Sequence, residues 1–345
     1  MSKYNYSGLL LTLLLLFVTG CNSTQPHAEL PTRMATAVTI TTPSMEATAV
    51  SPTPAPPTTT AVPNPPTFTP VPSATPTPIP TQTAMATATA VPSATATIPP
   101  SGSSTIIGYS AGGHAITAYQ FGSGPDQIIF IGGMHGGYEW NSILVTYRAM
   151  NYFLENPDAI PSNVTLTVIP AANPDGQFAV TGLEGRFAPA DVAADTIPGR
   201  FNANNVDLNR NWDCNWEPTG LWRNQEVSGG SYPFSEPENI ILRDFILAKN
   251  PVAVVFYHSA LNAIFTAGCP DTLPASRELA DVYAYAANYP VYEQFTSYPV
   301  TGDAGDWLAT QGIASFTVEL ANHTDLDWPQ NLYGMLALLD YFTAE

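Results

Sequence analysis

The chain has 345 residues, with 10 Lys+Arg against 28 Asp+Glu, 34 prolines and 3 cysteines. The four charged residues of the first 104, Lys3, Glu29, Arg33 and Glu46, cancel, so the whole formal charge of −18 sits on residues 105–345. A surface this acidic repels phosphate backbones and excludes a general nucleic-acid binder, while about 240 residues suffice for one enzyme-sized domain with a real core.

Lys3 precedes an apolar run from Leu9 to Val18. About ten apolar residues rise only ~15 Å as a helix, short of the ~30 Å hydrocarbon core of a bilayer. Residues 1–20 therefore read as an export signal rather than a membrane span. The run ends in Val18-Thr19-Gly20-Cys21, which resembles the bacterial lipoprotein lipobox. That resemblance implies cleavage before Cys21, lipid on its sulfur, a bacterial source and an extracytoplasmic protein held at the cell membrane. Residues 21–104 read as the lipidated cysteine followed by a disordered stalk. Between 51 and 100 there are 15 prolines, 14 threonines and no charge. Such a segment cannot bury enough apolar area to offset its ordering entropy, and its prolines favour extended polyproline II.

From residue 105 to 345 apolar runs alternate with helical patterns. Ala115–Phe121 and Gln127–Gly132 read as strands, Tyr138–Leu154 as an amphipathic helix and Val164–Pro170 as a strand. A Gly/Asn/Pro-rich stretch from Asn173 to Tyr232 reads as one long irregular segment, of a length that usually lines a functional site. Ser235-Glu236-Pro237-Glu238 reads as a capping box opening a helix that runs to about Lys249. Val252–Tyr257 is a buried strand, Leu273–Asn288 a helix, Ser315–Leu320 a second buried strand and Pro329–Phe342 a closing helix. Strands alternating with helices argue for an α/β sheet.

His135 and Glu139 follow the strand Gln127–Gly132, where sequence order sets them just past a strand end. Ligands in open α/β sheets sit at such ends. One imidazole and one carboxylate a turn apart can converge on a metal ion, though His and Glu four apart also occur as a surface contact. His258 ends a second buried strand and completes a two-imidazole, one-carboxylate set. That is the ligand chemistry of a catalytic zinc with one position left open. Glu319 lies inside the apolar strand Ser315–Leu320, where a carboxylate is costly without a partner or a purpose. It fits a general base acting on water, with a satisfied structural carboxylate as the alternative. The segment Gly199 to Trp212 carries Arg200, Arg210 and several asparagines, donors suited to an anion. Asn202 and Asn204 read instead as groups that order the loop.

At these residues the domain resembles the zinc carboxypeptidases, the carboxypeptidase A-like metallopeptidases. The matching pieces are His135-Gly136-Gly137-Tyr138-Glu139, Asn173-Pro174-Asp175-Gly176, Gly199-Arg200, Asp207-Leu208-Asn209-Arg210-Asn211, Phe234 to Glu238, His258-Ser259, Tyr298 with Gly302 and Asp306-Trp307, and Phe316 to Glu319. They stand in the family's order across residues 106–345. The resemblance implies a three-layer α/β/α sandwich around a mixed, mostly parallel sheet of about eight strands. It implies one Zn2+ per domain held by His135, Glu139 and His258, with Glu319 activating water and Arg200 stabilising the oxyanion. Asn209 and Arg210 would grip a terminal carboxylate, Tyr298 would close over the substrate, and Asp207 would orient a zinc histidine.

The substrate implied is a peptide cut at its C-terminal bond by zinc-activated water. The alternative is a cell-wall peptide cut at a γ-D-glutamyl–diamino acid bond, a choice suited to the short Arg200–Arg210 segment and the anchored location. A distant deacylase branch is a weaker rival because of the Tyr298/Trp307 region and the Ser235-Glu236-Pro237-Glu238 element, and a non-catalytic surface binding lipoprotein on the same fold is weaker because no ligand or base is missing. Gly305 stands where relatives carry a selective side chain. Asp303 nearby is either a helix cap or an attractor for a basic group, and the cap is the preferred reading. Cys214 and Cys269 flank site segments in an exported chain and are disulfide candidates. His114 and His323 read as structural or surface groups, and Trp212, Trp216 and Trp222 as packing of the long loop, with a substrate-facing tryptophan the alternative. The expected partners are the peptide substrate and, through the N-terminal lipid anchor, the membrane. The oligomeric state stays open, with a monomer the expectation.

Overall fold

The computed structural model describes residues 102–343. The signal peptide, the lipidated Cys21 and all but the last three residues of the stalk lie outside the described residues. Ten strands and six helices follow. They are β1 (Ser103–Tyr109), β2 (Ala115–Gly122), β3 (Asp126–Ile131), α1 (Trp140–Glu155), β4 (Val164–Ile169), α2 (Pro174–Thr181), β5 (Thr219–Trp222) and β6 (Gln225–Ser228). Then come α3 (Pro237–Lys249), β7 (Ala253–Ser259), β8 (Ala263–Thr266), α4 (Pro274–Ala287), β9 (Val291–Tyr292), α5 (Ala304–Thr310), β10 (Ser315–Leu320) and α6 (Trp328–Tyr341).

Eight strands form one sheet in the order β1-β2-β4-β3-β7-β10-β8-β9. The centre, β4-β3-β7-β10, is parallel throughout. The edges are mixed: β1/β2, β2/β4 and β10/β8 are antiparallel and β8/β9 parallel. β5 and β6 form a separate hairpin.

Strand periodicity sorts the core into two layers. On β3, Ile128 and Phe130 face one side of the sheet with Val255 and Tyr257 of β7, against α1, α4 and α6. Ile129 and Ile131 face the other side with Val254 and Phe256, against Leu242 and Ile246 of α3 and Leu308 of α5. Because β3 and β7 are covered on both faces, they read as continuous apolar runs without alternation. Each such side chain contributes roughly 2 kcal/mol by leaving water. The result is the expected three-layer α/β/α sandwich.

Three local expectations are corrected. The helix expected from Tyr138 starts at Trp140, because Gly136–Glu139 is a tight 3-10 turn with Gly136 at φ 44°. The capping box at Ser235 is absent. Glu236 stands at the helix N-cap without a side-chain cap, while Glu238 accepts from the amide of Ala111 and from Asn202. Tertiary partners outcompete the local cap. The stretch from Asn173 to Tyr232 is not irregular throughout, since it contains α2 and the β5–β6 hairpin. Eight-residue and four-residue elements offer too little periodicity to stand out among Gly, Pro and Asn.

Candidate metal centre

The parallel strands β3, β7 and β10 all end at one edge of the sheet. His135 follows β3, His258 sits near the end of β7, and Glu319 near the end of β10. The 3-10 turn brings Glu139 back toward His135, so Nδ1 of His135 lies 2.8 Å from Oε1 of Glu139. Nδ1 of His258 lies 3.0 Å from Oε2 of Glu139 and 3.1 Å from Nδ1 of His135. The three residues are 6%, 3% and 3% exposed, so their polar atoms face one another rather than water. Two imidazole nitrogens and a carboxylate with no apolar reason to meet form a set of lone pairs that suits a cation. Zinc bonds of ~2.0–2.1 Å in a tetrahedron would set ligand atoms roughly 3.3 Å apart. The separations of 2.8–3.1 Å are close to that, so the residues fit a zinc ion.

The surrounding groups suit the same chemistry. Asp207, fully buried, has Oδ1 3.3 Å from Nε2 of His135. Its other oxygen accepts from Nε and Nη2 of Arg200 at 3.0 and 2.7 Å. Burial would push the Asp207 carboxyl up, but Arg200 and His135 hold it well below the usual carboxylate range. Burial likewise opposes ionisation of Glu139, and the two imidazoles outweigh it and hold that carboxyl low. Both groups are therefore anions at neutral pH. Ser259 adds a backbone N–H to Oε2 of Glu139 at 3.2 Å.

Arg200 reaches this spot because backbones pack without side chains between them. A Cβ on Gly176 would lie 2.1 Å from the carbonyl oxygen of Gly199. Asn173 caps α2 through the amide of Gly176 and donates its own amide to the carbonyl of Arg200. Arg200 then lies over the ring of Trp222, 4.6 Å from its centroid.

Glu319 pairs with His258 in the parallel β10/β7 register, and the two residues share a sheet face. The residue is half-buried, and its Oε2 is cut off from solvent without a hydrogen-bond partner. Burial and the charge of Glu139 push its carboxyl up to about 8. A cleft of about 510 Å³ opens over these groups.

Asn209, Arg210 and Tyr298 also line the cleft. Asn209 donates to Asp303 at 2.7 Å and accepts from the amide of Ala304 at 3.1 Å. Arg210 donates Nε and Nη2 to the carbonyl of Leu221 and Nη1 to that of Asn209. Guanidinium carries five N–H donors, so two remain for a ligand. Tyr298 packs edge-on against Phe295, ring centroids 4.6 Å apart. Asp303 caps α5 by accepting from the amide of Asp306. Asp303 also lines the cleft beside Gly305 and Asp306. Burial and the charge of Asp303 push Asp306 up to about 7. Among the described residues, neither aspartate has a Lys or Arg in ion-pair range. Cys214 and Cys269 are joined as a disulfide beside the cleft residues Asn215 and Pro270.

Several cleft residues escape the sequence reading. His323, expected to be structural or on the surface, lines the cleft, 3.0 Å from Oγ of Ser259 and 3.4 Å from the hydroxyl of Tyr138. Burial pushes its imidazole down, so it is neutral at pH 7. Trp222 packs against Tyr138, Val227 and Phe201 as expected of the loop and also lines the cleft, where Arg223 stands beside it. His323 is signalled only by its place four residues after Glu319, and Arg223 by nothing local. His114, by contrast, stacks on Phe178 beside Glu184, remote from the cleft. Trp212 is fully buried against Phe234 and Trp307, and Asn202 and Asn204 bind Glu236.

Comparison with known proteins gives consistent matches. A family model described as zinc carboxypeptidase matches residues 92–338. Carboxypeptidase B of Astacus astacus is 30% identical over 239 residues, covering 62% of this chain and 77% of the relative. Gamma-D-glutamyl-L-diamino acid endopeptidase 1 of Lysinibacillus sphaericus is 24% identical over 247 residues, 64% of this chain and 61% of that relative. The fold is shared with carboxypeptidase A from Helicoverpa armigera at a TM-score of 0.56 and 20% identity, covering 70% and 68% of the two chains. Murein-tripeptide amidase from Escherichia coli O157 shares it at 0.51 and 24%, covering 72% and 94%.

Proposed function

The chain belongs to the zinc carboxypeptidase family, and we propose that it is a zinc-dependent carboxypeptidase that removes the C-terminal residue of peptides. One observation carries the reading. Three metal-suited side chains converge within 3.1 Å of one another, and a carboxylate with a partnerless oxygen stands beside them on the same sheet face.

Bound zinc would supply a Lewis acid that polarises the scissile carbonyl and acidifies a water molecule. In its ionised form, which a cation held by His135, Glu139 and His258 would favour, Glu319 takes a proton from the attacking water at its free Oε2 and returns it to the leaving amine. Arg200, locked by Asp207, directs Nη1 toward the negative charge that develops on the carbonyl oxygen. Asn209 and Arg210 hold the terminal carboxylate with the N–H groups left over from their internal bonds, which aligns the bond to be cut. Tyr298 and Phe295 enclose the terminal residue.

A second reading, cleavage of a cell-wall peptide at a γ-D-glutamyl–diamino acid bond, is favoured by the two cation-free aspartates beside Gly305. A leaving residue with an amine on its side chain would neutralise them. We also propose, on residues 9–21 alone, that Cys21 carries lipid and that the protein works outside the cytoplasm at the membrane.

The test incubates the zinc-loaded protein, and a Glu319→Gln variant, with a mixed peptide library and a cell-wall tetrapeptide. Loss of single C-terminal residues from the library, absent in the variant, supports the first reading. Cleavage of the cell-wall peptide alone supports the second. No cleavage of either, with zinc bound, overturns both.

A further inference from the structure

The chain has nearly three acidic side chains for each basic one, yet three of its ten Lys and Arg residues line the cleft. Arg200 is tied to Asp207, and Arg210 is held by two backbone carbonyls. Arg223 is different. It stands at the tip of the β5–β6 hairpin, between Trp222 and Gln225, and is exposed. Its Nη2 donates to the hydroxyl of Tyr138 at 3.2 Å, and its guanidinium lies 5.4 Å from the centroid of the Trp222 ring. Among the described residues no carboxylate lies in ion-pair range of it. The backbone there has φ 58°, a conformation that favours Asn or Gly over Arg. The hairpin is not loose, because Arg210 grips the carbonyl of Leu221 from inside the cleft.

Strand β10 gives the direction along the cleft. Ser315 at its start bonds the carbonyl of Gly305, beside Asp303 and Asp306. Glu319 comes four residues later, about 13 Å along the strand. His323 lies past the strand end, against Ser259, the residue after His258 on the neighbouring β7. The Tyr138 hydroxyl that meets His323 is the one that receives Arg223. Arg223 and the aspartates thus sit on opposite sides of the candidate metal centre. Asn209 is bonded to Asp303, so a terminal carboxylate held by Asn209 and Arg210 belongs on the aspartate side. The Arg223 side is left for the acyl part of the substrate.

We propose that Arg223, seated on Tyr138 and Trp222, is an anion subsite for a carboxylate on the residue at the acyl side of the scissile bond. This deepens the peptidase reading and rests on it. The cleft is polar along its length, cation-binding on the leaving side and anion-binding on the acyl side. A side-chain carboxylate of L-glutamate and the free α-carboxylate of a γ-linked D-glutamate offer the same chemistry.

The test uses the full chain and three matched peptides ending in lysine, with L-glutamate, L-glutamine or γ-linked D-glutamate before it. Turnover is compared as kcat/KM, and binding is measured by calorimetry on the Glu319→Gln variant. An acidic peptide should exceed the glutamine peptide roughly tenfold in both readouts. Arg223→Gln should bring that ratio near 1, Arg223→Lys should restore part of it, and Arg243→Gln, at a half-buried residue outside the cleft, should leave it unchanged. The better of the two acidic peptides names the source of the carboxylate. A ratio near 1 in the unaltered protein, no binding of either acidic peptide, or a ratio that survives Arg223→Gln overturns the subsite. If no peptide is cut but the binding ratio holds and depends on Arg223, the peptidase reading falls and the subsite stands.

Discussion

Glu319 and His258 are direct partners in the parallel pairing of β10 and β7. That register sets a carboxylate with one partnerless oxygen beside a metal-suited imidazole, on strands held by two buried layers. Glu319→Gln keeps the shape and removes the basicity. Peptide turnover should fall by at least about 10³-fold, with zinc content unchanged. Measuring both on one preparation checks this, and turnover within tenfold of the parent would remove Glu319 from the role of base.

Purified protein should contain one zinc per chain by elemental analysis. His135→Ala and His258→Ala should each abolish stoichiometric zinc. Asp207→Asn should weaken zinc by roughly 10–100-fold, since Asp207 lies 3.3 Å from Nε2 of His135 and accepts from Arg200 without itself lying among the three convergent groups. A chelator should lower the melting temperature of the parent and not of His258→Ala.

Asp306 loses its proton near pH 7, and the charge it gains is negative. Preference for lysine-terminated over leucine-terminated peptides should therefore rise from pH 5.5 to 8.5. A bound ammonium would draw the midpoint lower. Asp306→Asn should flatten the rise. The ratio of kcat/KM values across that range is the readout, and an equally steep rise in the variant would discount Asp306.

The Cys214–Cys269 disulfide spans 55 residues of sequence and closes a loop that carries the β5–β6 hairpin, α3 and β7. Loop entropy assigns such a cross-link about 4 kcal/mol. Reduction should lower the melting temperature by several degrees. It should also loosen Pro270 and Asn215 at the cleft rim, raising KM more than it lowers kcat.

Residues near one another in the chain, or marked by strong periodicity, are legible in the sequence itself. The buried strands β7 and β10, α3 to Lys249 and the candidacy of His135, His258 and Glu319 stand out, because an apolar run that ends in or carries a polar, titratable group has few other reasons to exist. The convergence of those side chains follows from sequence only through the order of familiar motifs. Tertiary structure alone decides the rest. The Gly136–Glu139 turn, not a helix, aims Glu139 at His135. Glu238 serves Ala111 and Asn202 instead of capping its own helix. His323, Trp222 and Arg223 enter the cleft through contacts across 84 to 185 residues. Local sequence records backbone preference and burial. It holds no record of which distant loop a short polar segment will face, because that is set by the packing of the sheet beneath it.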